Sequence, residues 1–253
     1  MKKLKRTAWM LTMALTATAL FTACDDDDTY VYCIDPVDHP NALVTVKPQD
    51  NGSTFYMQLD EKTTLHPVNM TASPYGEKEV RALVKCYLKG EQSEENRKNV
   101  FVVWMDSILT KPCAENLGTE ELNYTAYGND PVEIVNDWVT IAEDGYLTLR
   151  FRTYWSNRNI PHHVNLVASN DPEKPYEVTF YHDAKGDGKG YVGDGIVAFR
   201  LSDLPNTNGE TVDLTLRWNS FSGEKSHTFK YCTRKATGSD EDIAAGTYMK
   251  MLK

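Results

Sequence analysis

Histidine and acidic residues between positions 162 and 187 are the side chains of this sequence most suited to metal or acid–base chemistry. His163, His182 and Asp183 would offer imidazole and carboxylate ligands of the kind that zinc prefers, and a metal-dependent hydrolase would be built on such a site. Their spacing matches no zinc motif, and the adjacent His162 and His163 would point to opposite faces of a strand. We therefore expect His163 and His182 to be hydrogen-bonded on neighbouring strands, and we expect no metal or other cofactor.

The segment from Asp183 to Gly195 contains three aspartates and five glycines, a composition that also occurs in calcium-binding loops. Lys185 and Lys189 stand where ligands would be needed, and no glutamate closes the loop, so we interpret it as a hairpin loop. The motifs Gly-x-Ser-x-Gly and His-Glu-x-x-His do not occur in the chain. We predict no catalytic residues and a protein that is not an enzyme.

A second group of candidate residues is aromatic. Tyr154, Trp155 and Arg158 lie within ten residues that also contain amides and two histidines. Aromatic and arginine side chains dominate the energetics of protein interfaces, and aromatic rings also stack against sugars. We predict that Tyr154, Trp155 and Arg158 bind a protein partner, and binding of a glycan during polysaccharide uptake is the alternative.

The elements that would position these residues are β-strands. Apolar residues alternate with polar ones in 54–60, 146–152 and 211–218, which is the pattern of half-buried strands. In the second of these segments Leu147, Leu149 and Phe151 would point inward, and Arg150 and Arg152 outward. Dipeptides such as Asn51-Gly52 and Asp144-Gly145 mark turns between strands. The sequence therefore predicts an all-β protein.

The strands fall into two groups. We predict a small β-barrel over 40–112, a linker over 113–130, a β-sandwich over 131–235 and a flexible tail over 236–253. We also expect the two halves to fold separately, because prolines and loop-forming residues lie between them.

The first 39 residues indicate export. A basic start, an uncharged apolar stretch and Thr22-Ala23 before Cys24 are typical of a lipoprotein signal peptide over 1–23, with Cys24 as the lipidated residue. An acidic tether over 24–39 follows, in which four aspartates come directly after Cys24. This arrangement predicts a membrane-anchored protein on the outer membrane at the cell surface, or alternatively on its periplasmic face.

Charge and cysteine content limit the remaining possibilities. The 253-residue chain has a net charge of -9, and loss of four basic residues with the signal peptide makes it -13, which argues against a nucleic-acid partner. Four further cysteines allow three disulfide pairings in an oxidising compartment, and buried free thiols are the alternative. They are Cys33, Cys86, Cys113 and Cys232.

Several strings in their order resemble the NigD-like family of lipoproteins. They include Phe55-Tyr-Met-Gln-Leu-Asp60, Val102-Val-Trp-Met-Asp106, Gly128-Asn-Asp-Pro-Val132, Phe180-Tyr-His-Asp183 and Gly195-Ile-Val-Ala-Phe-Arg-Leu201. The resemblance covers about residues 40–232. It implies an OB-like barrel followed by an immunoglobulin-like β-sandwich, and it suggests a role in bacteriocin immunity without any catalytic residues.

Overall fold

The structure is a computed structural model that describes residues 39–91, 94–157 and 159–234. The signal peptide, Cys24, the acidic tether before His39, Cys33, Arg158 and the tail lie outside these residues. Within the described ranges, no helix is long and apolar enough to cross a membrane.

The first half is a closed barrel of five strands in the order β1-β2-β3-β5-β4. A short 3-10 turn at Asp50–Gly52 joins the first two strands. Phe55, Met57 and Leu59 point into the barrel, as their alternation predicts. The strands are β1 (Ala42–Gln49), β2 (Thr54–Gln58), β3 (Thr64–Pro67), β4 (Val80–Leu88) and β5 (Arg97–Ser107).

The second half is a β-sandwich of two sheets, with the orders β10-β11-β13-β14 and β6-β12-β9-β7. The short β8 also pairs with β9. An all-β fold with an OB barrel before a sandwich is thus confirmed. The elements are β6 (Leu109–Pro112), α1 (Glu120–Tyr127), β7 (Glu133–Ile134), β8 (Ile141–Glu143), β9 (Tyr146–Trp155), β10 (His163–Ala168), β11 (Glu177–Asp183), β12 (Tyr191–Arg200), β13 (Val212–Ser220) and β14 (Gly223–Tyr231).

Strand β9 is the central element of the second sheet and orients the residues discussed below. Leu147, Leu149 and Phe151 are buried in the sandwich core, whereas Arg150 and Arg152 face outward, as predicted. Strand β12 pairs with β9 in antiparallel register along all ten residues of both strands. This long ladder gives the sheet a regular outer surface.

The segment between the two halves is more ordered than the expected linker. Strand β6, which we had assigned to the barrel, pairs in parallel with β12 of the sandwich. Ala114 then bridges to Val167 of the opposite sheet, and Asn116 Nδ2 donates a hydrogen bond to the Ala168 carbonyl at 2.7 Å. Helix α1 follows, with Thr119 Oγ1 accepting from the Leu122 amide as its N-cap. Residues 109–127 therefore join the two sheets.

The barrel and the sandwich share a buried interface. Leu43 and Ile108 pack there against Tyr146 and Ala198. The Arg81 side chain is fully buried and donates hydrogen bonds to Thr45 Oγ1 at 3.0 Å, Thr148 Oγ1 at 3.4 Å and Glu143 Oε2 at 3.4 Å. Because Thr148 and Glu143 belong to the sandwich, Arg81 joins the two domains through polar contacts that water does not reach.

The same interface contains a cluster of charges around the Tyr146 ring. The guanidinium groups of Arg81, Arg200 and Arg234 lie 5.3 to 5.9 Å from its centroid, within the range of cation–π attraction. Its hydroxyl donates to Glu79 Oε1 at 2.7 Å. Burial raises the pKa of Glu143 to about 7, although Arg81 opposes this shift. The interface thus contains charged groups that depend on one another for compensation.

The cysteines that the structure describes are free thiols. Cys86 is buried in the barrel core, and Cys113 and Cys232 are half-buried. Burial raises the pKa of the Cys86 thiol to about 11 and that of Cys113 to about 12. Thiols with such high pKa values are mostly protonated at neutral pH and are poor nucleophiles.

Candidate binding site on the outer face of the sandwich

An exposed apolar surface lies where β9 ends and β12 begins. Tyr154 and Val192 are cross-strand partners on the outer face of the sheet. Phe221, in the turn between β13 and β14, packs edge-on against the Tyr154 ring, with centroids 5.2 Å apart and an interplanar angle of 77°. All three side chains are exposed. We call Tyr154, Val192 and Phe221 the tip patch.

Charged side chains border the tip patch on the same outer face. Arg152, two residues before Tyr154, donates from Nε and Nη2 to the two carboxylate oxygens of Asp194 at 2.6 and 3.0 Å. Arg150 bonds Asp194 and also Asp137, each at 2.8 Å. An apolar centre beside paired charges is the arrangement of a protein interface with its polar rim.

Trp155 lies beneath the tip patch and is not the exposed aromatic that we expected. Its ring is partly buried against the sandwich core and stacks on the His162 ring, with centroids 3.8 Å apart and an interplanar angle of 19°. Trp155 follows Tyr154 in a strand, so its side chain points to the opposite, inner face. Trp155 therefore supports the surface that Tyr154 presents to solvent.

The two histidines behind Trp155 form a fixed hydrogen-bonded pair. His182 Nδ1 faces the carbonyl oxygen of Asp130 at 3.3 Å, and a carbonyl can only accept, so we assign the proton to Nδ1. His182 Nε2 then accepts from His162 Nδ1 at 2.9 Å. Burial, with a further contribution from His162, lowers the pKa of His182 to about 4. His182 is consequently neutral at neutral pH.

Asp187 fastens the connection before β12 to the end of β9. Its buried carboxylate accepts hydrogen bonds from the Ser156 hydroxyl and from the Ser156 and Asn157 amides at 3.0 to 3.1 Å. These bonds, that of the Ser156 hydroxyl foremost, lower the pKa of Asp187 to about 2. His162 Nε2 lies 3.5 Å from Asp187 Oδ2, and within the described residues it forms no hydrogen bond.

The structure separates the residues that could have formed a zinc site. His163 is exposed and lies opposite Asp183 in the β10–β11 register, whereas His182 is buried and bonded to His162 instead of His163. No three His, Cys, Asp or Glu side chains within 39–91, 94–157 and 159–234 are arranged to hold a metal ion. The expected hydrogen bond between His163 and His182 was wrong, because the partner of His182 is His162.

The glycine-rich segment after Asp183 is a crossover and not the hairpin loop that we expected. It leads from β11 in one sheet to β12 in the other. Its Asp187 is buried because the segment folds back onto the end of β9. Sequence alone could not reveal this, because a hairpin and a crossover between facing sheets use similar turn residues.

Gly193 makes room for Trp155, which allows a specific prediction. A Cβ at position 193 would lie 2.6 Å from Trp155 Cδ1. We expect Gly193→Ala to shift the indole, to change its fluorescence spectrum and to lower the free energy of unfolding by about 1–3 kcal/mol. Gly188→Ala, where a Cβ meets no atom within 4 Å, is the matched control for equilibrium unfolding. An unchanged spectrum and stability in Gly193→Ala would refute this packing.

A closed OB-type barrel followed by a sandwich with a supported outer patch defines a class of two-domain β proteins. The sequence matches the NigD-like N-terminal OB domain over residues 43–108 and the NigD-like C-terminal beta sandwich domain over residues 116–231. The chain belongs to the NigD-like family, as its sequence strings suggested. No curated protein matches it.

Solved structures show the same architecture. A candidate toxin-related protein from Parabacteroides distasonis is 35% identical, with a TM-score of 0.64 over 76% of this chain and 92% of that chain. A protein of unknown function from Bacteroides vulgatus is 20% identical, with a TM-score of 0.58 over 84% of this chain and 98% of that chain. A NigD-like immunity protein from Bacteroides caccae is 17% identical, with a TM-score of 0.55 over 76% of this chain and 96% of that chain. The similarity to the last two structures shows a shared fold and nothing more.

Sequence reasoning located one member of the tip patch and missed two. Tyr154 was predicted, and Arg158 lies outside the described residues. Val192 and Phe221 were not predicted, although an apolar residue within the polar turn Ser220-Phe-Ser-Gly223 was an available signal. Its proximity to Tyr154 could not be read from the sequence, because the β13–β14 turn and β9 belong to different sheets.

Proposed function

We propose that the protein is a lipid-anchored, non-enzymatic envelope protein that binds a protein partner through the tip patch. Cys24 carries the anchor, and the outer membrane at the cell surface is its location. Bacteriocin immunity is the form of binding that the family suggests, and the name of the Bacteroides caccae structure agrees with it. The observation that carries the proposal is the exposed Tyr154–Phe221 pair on a buried, hydrogen-bonded support.

The geometry of the patch favours a protein over a glycan. Tyr154 and Phe221 pack edge to face, so the two rings form a stepped apolar surface rather than two coplanar platforms for sugars. Val192 adds an aliphatic side chain to the same surface. Arg150 and Arg152 are already held by carboxylates, so the rim is ordered before a partner arrives. Preorganised aromatic anchors lose little conformational entropy on association.

Truncation of the two aromatic side chains tests this proposal. We expect the Tyr154→Ala, Phe221→Ala double variant to lose partner capture at least about tenfold, because an interface anchor contributes about 2 kcal/mol or more. The measurement is quantitative pull-down from the native envelope, together with the melting temperature, which should change little. Val68→Ala with Leu122→Ala, two exposed apolar side chains outside the tip patch, is the matched control and should retain capture.

Two results would contradict the proposal. Equal capture by the double variant and the wild type would place the contact elsewhere. Specific binding to a glycan array that depends on Tyr154, with no captured protein, would favour the glycan alternative.

A further inference from the structure

The barrel has an exposed apolar surface of its own, far from the tip patch. Tyr87 on β4 and Phe101 on β5 are cross-strand partners, and both are exposed. Val103 lies two residues beyond Phe101 on the same face. We call Tyr87, Phe101 and Val103 the barrel patch.

Strand register places the barrel patch away from the sandwich. Arg81 of β4 is buried at the interface between the domains, and Tyr87 follows it by six residues, or roughly 20 Å along an extended strand. In β9 the order is similar, because Tyr146 lies at the interface and Tyr154 is eight residues further along. Each domain thus carries its exposed aromatic residues at the strand end remote from the shared interface.

The N-terminal end of the described chain is attached beside the barrel patch. Asn41 Nδ2 donates to the Cys86 carbonyl at 2.7 Å, and the Cys86 amide donates to Asn41 Oδ1 at 3.0 Å. The Asn41 amide also donates to the Val84 carbonyl at 2.9 Å. The chain that arrives from Cys24 therefore joins the barrel at Asn41, beside Cys86, which is the residue before Tyr87 in β4. The sixteen residues from Cys24 to His39 can span at most roughly 50 Å.

The charge of this part of the barrel differs from that of the whole protein. The stretch 85–103, which carries the barrel patch, contains four basic and three acidic residues, whereas the chain as a whole has a net charge of -9. This stretch is close to neutral, so an anionic lipid surface would repel it less than it repels the protein as a whole. Exposed aromatic and aliphatic side chains with basic neighbours are also the composition of surfaces that settle at a lipid interface.

We propose that the barrel patch rests on the lipid surface to which the protein is anchored. This inference builds on the proposed anchor at Cys24 and adds an orientation: the barrel contacts the bilayer, and the tip patch is held away from it. The tether brings the patch close to the bilayer, and burial of its apolar side chains among the lipid headgroups keeps the barrel there.

Introduced tryptophans and brominated lipids test the orientation. The lipidated protein is reconstituted into phosphatidylethanolamine–phosphatidylglycerol vesicles with or without brominated acyl chains, as the Phe101→Trp variant and, separately, as Tyr154→Trp. The two positions are matched, because their side chains are 43% and 38% exposed. After subtraction of the wild-type signal, we expect bromine to quench roughly half or more of the emission at position 101 and little of that at position 154. Val103→Trp is the substitute should Phe101→Trp fail to fold.

The outcomes separate the orientation from the anchor. If the protein floats with the vesicles but position 101 is quenched no more than position 154, the orientation is refuted and the anchor stands. If the wild type does not float with the vesicles at all, both are refuted. Cys24→Ala tests the anchor separately, because this variant should lose most of its vesicle association.

Discussion

Replacing Arg81 with alanine is expected to lower the free energy of unfolding by about 3–5 kcal/mol. The substitution removes a fully buried side chain and leaves the hydroxyls of Thr45 and Thr148 and the carboxyl of Glu143 without their partner. A buried polar group without compensation has a high desolvation cost, and the cavity adds to the loss. Urea unfolding at neutral pH, followed by circular dichroism, measures the effect.

Arg152→Ala is the matched control for this prediction. Arg152 also contacts a carboxylate, that of Asp194, but it is about half exposed, so its loss should lower the free energy of unfolding by no more than about 1 kcal/mol. Equal effects of the two substitutions would show that the buried contacts of Arg81 do not hold the domains together.

Two buried groups should make stability depend on pH in opposite directions. His182 has a pKa of about 4 in the folded protein, below its ordinary value of 6.5, so the unfolded chain binds more protons between these values. Stability from His182 is therefore lost as the pH falls from about 6.5 to 4. Glu143 has a pKa of about 7, above its ordinary 4.5, so its contribution is lost as the pH rises from about 4.5 to 7. Each shift of about 2.5 units corresponds to about 3 kcal/mol.

Single substitutions should reveal these opposing slopes. In the wild type the two contributions largely offset each other, and the free energy of unfolding should change little between pH 4.5 and 7. His182→Gln should leave a protein whose stability falls as the pH rises, and Glu143→Gln one whose stability increases. The measurement is urea unfolding at half-unit pH intervals. Parallel pH profiles for the wild type and both variants would contradict the assigned protonation states. Asp187 does not interfere, because its pKa of about 2 lies below this window.

Local alternation was enough to predict the strands and the faces of β9. Leu147, Leu149 and Phe151 had to point one way and Arg150 and Arg152 the other, because side chains alternate in any extended strand. The barrel and sandwich followed from the number and spacing of such strands, supported by the family resemblance. The exposure of Tyr154 follows from the same local alternation, because Tyr154 lies on the face of the strand that carries Arg150 and Arg152.

Contacts between residues that are far apart in the chain could not be predicted from the sequence. Arg81 lies in a short polar stretch and looks like a solvated residue, yet its partners Thr148 and Glu143 lie more than 60 residues away. Trp155 was expected among the exposed loop aromatics, but it stacks on His162 in space that Gly193 leaves open. These positions depend on which strands become neighbours, and periodicity within a single segment does not report that.

Strand β6 determines where the chain can be divided. It comes after the barrel in sequence, separated from β5 by Ile108 alone, yet it covers the side of β12 that β9 leaves open. A sandwich transferred to another protein without Leu109–Pro112 would carry bare backbone amides and carbonyls on β12, which recruit strands from other molecules. The two family matches stop at 108 and resume at 116, so this strand belongs to neither match. As an exchangeable module, the second domain begins at Leu109.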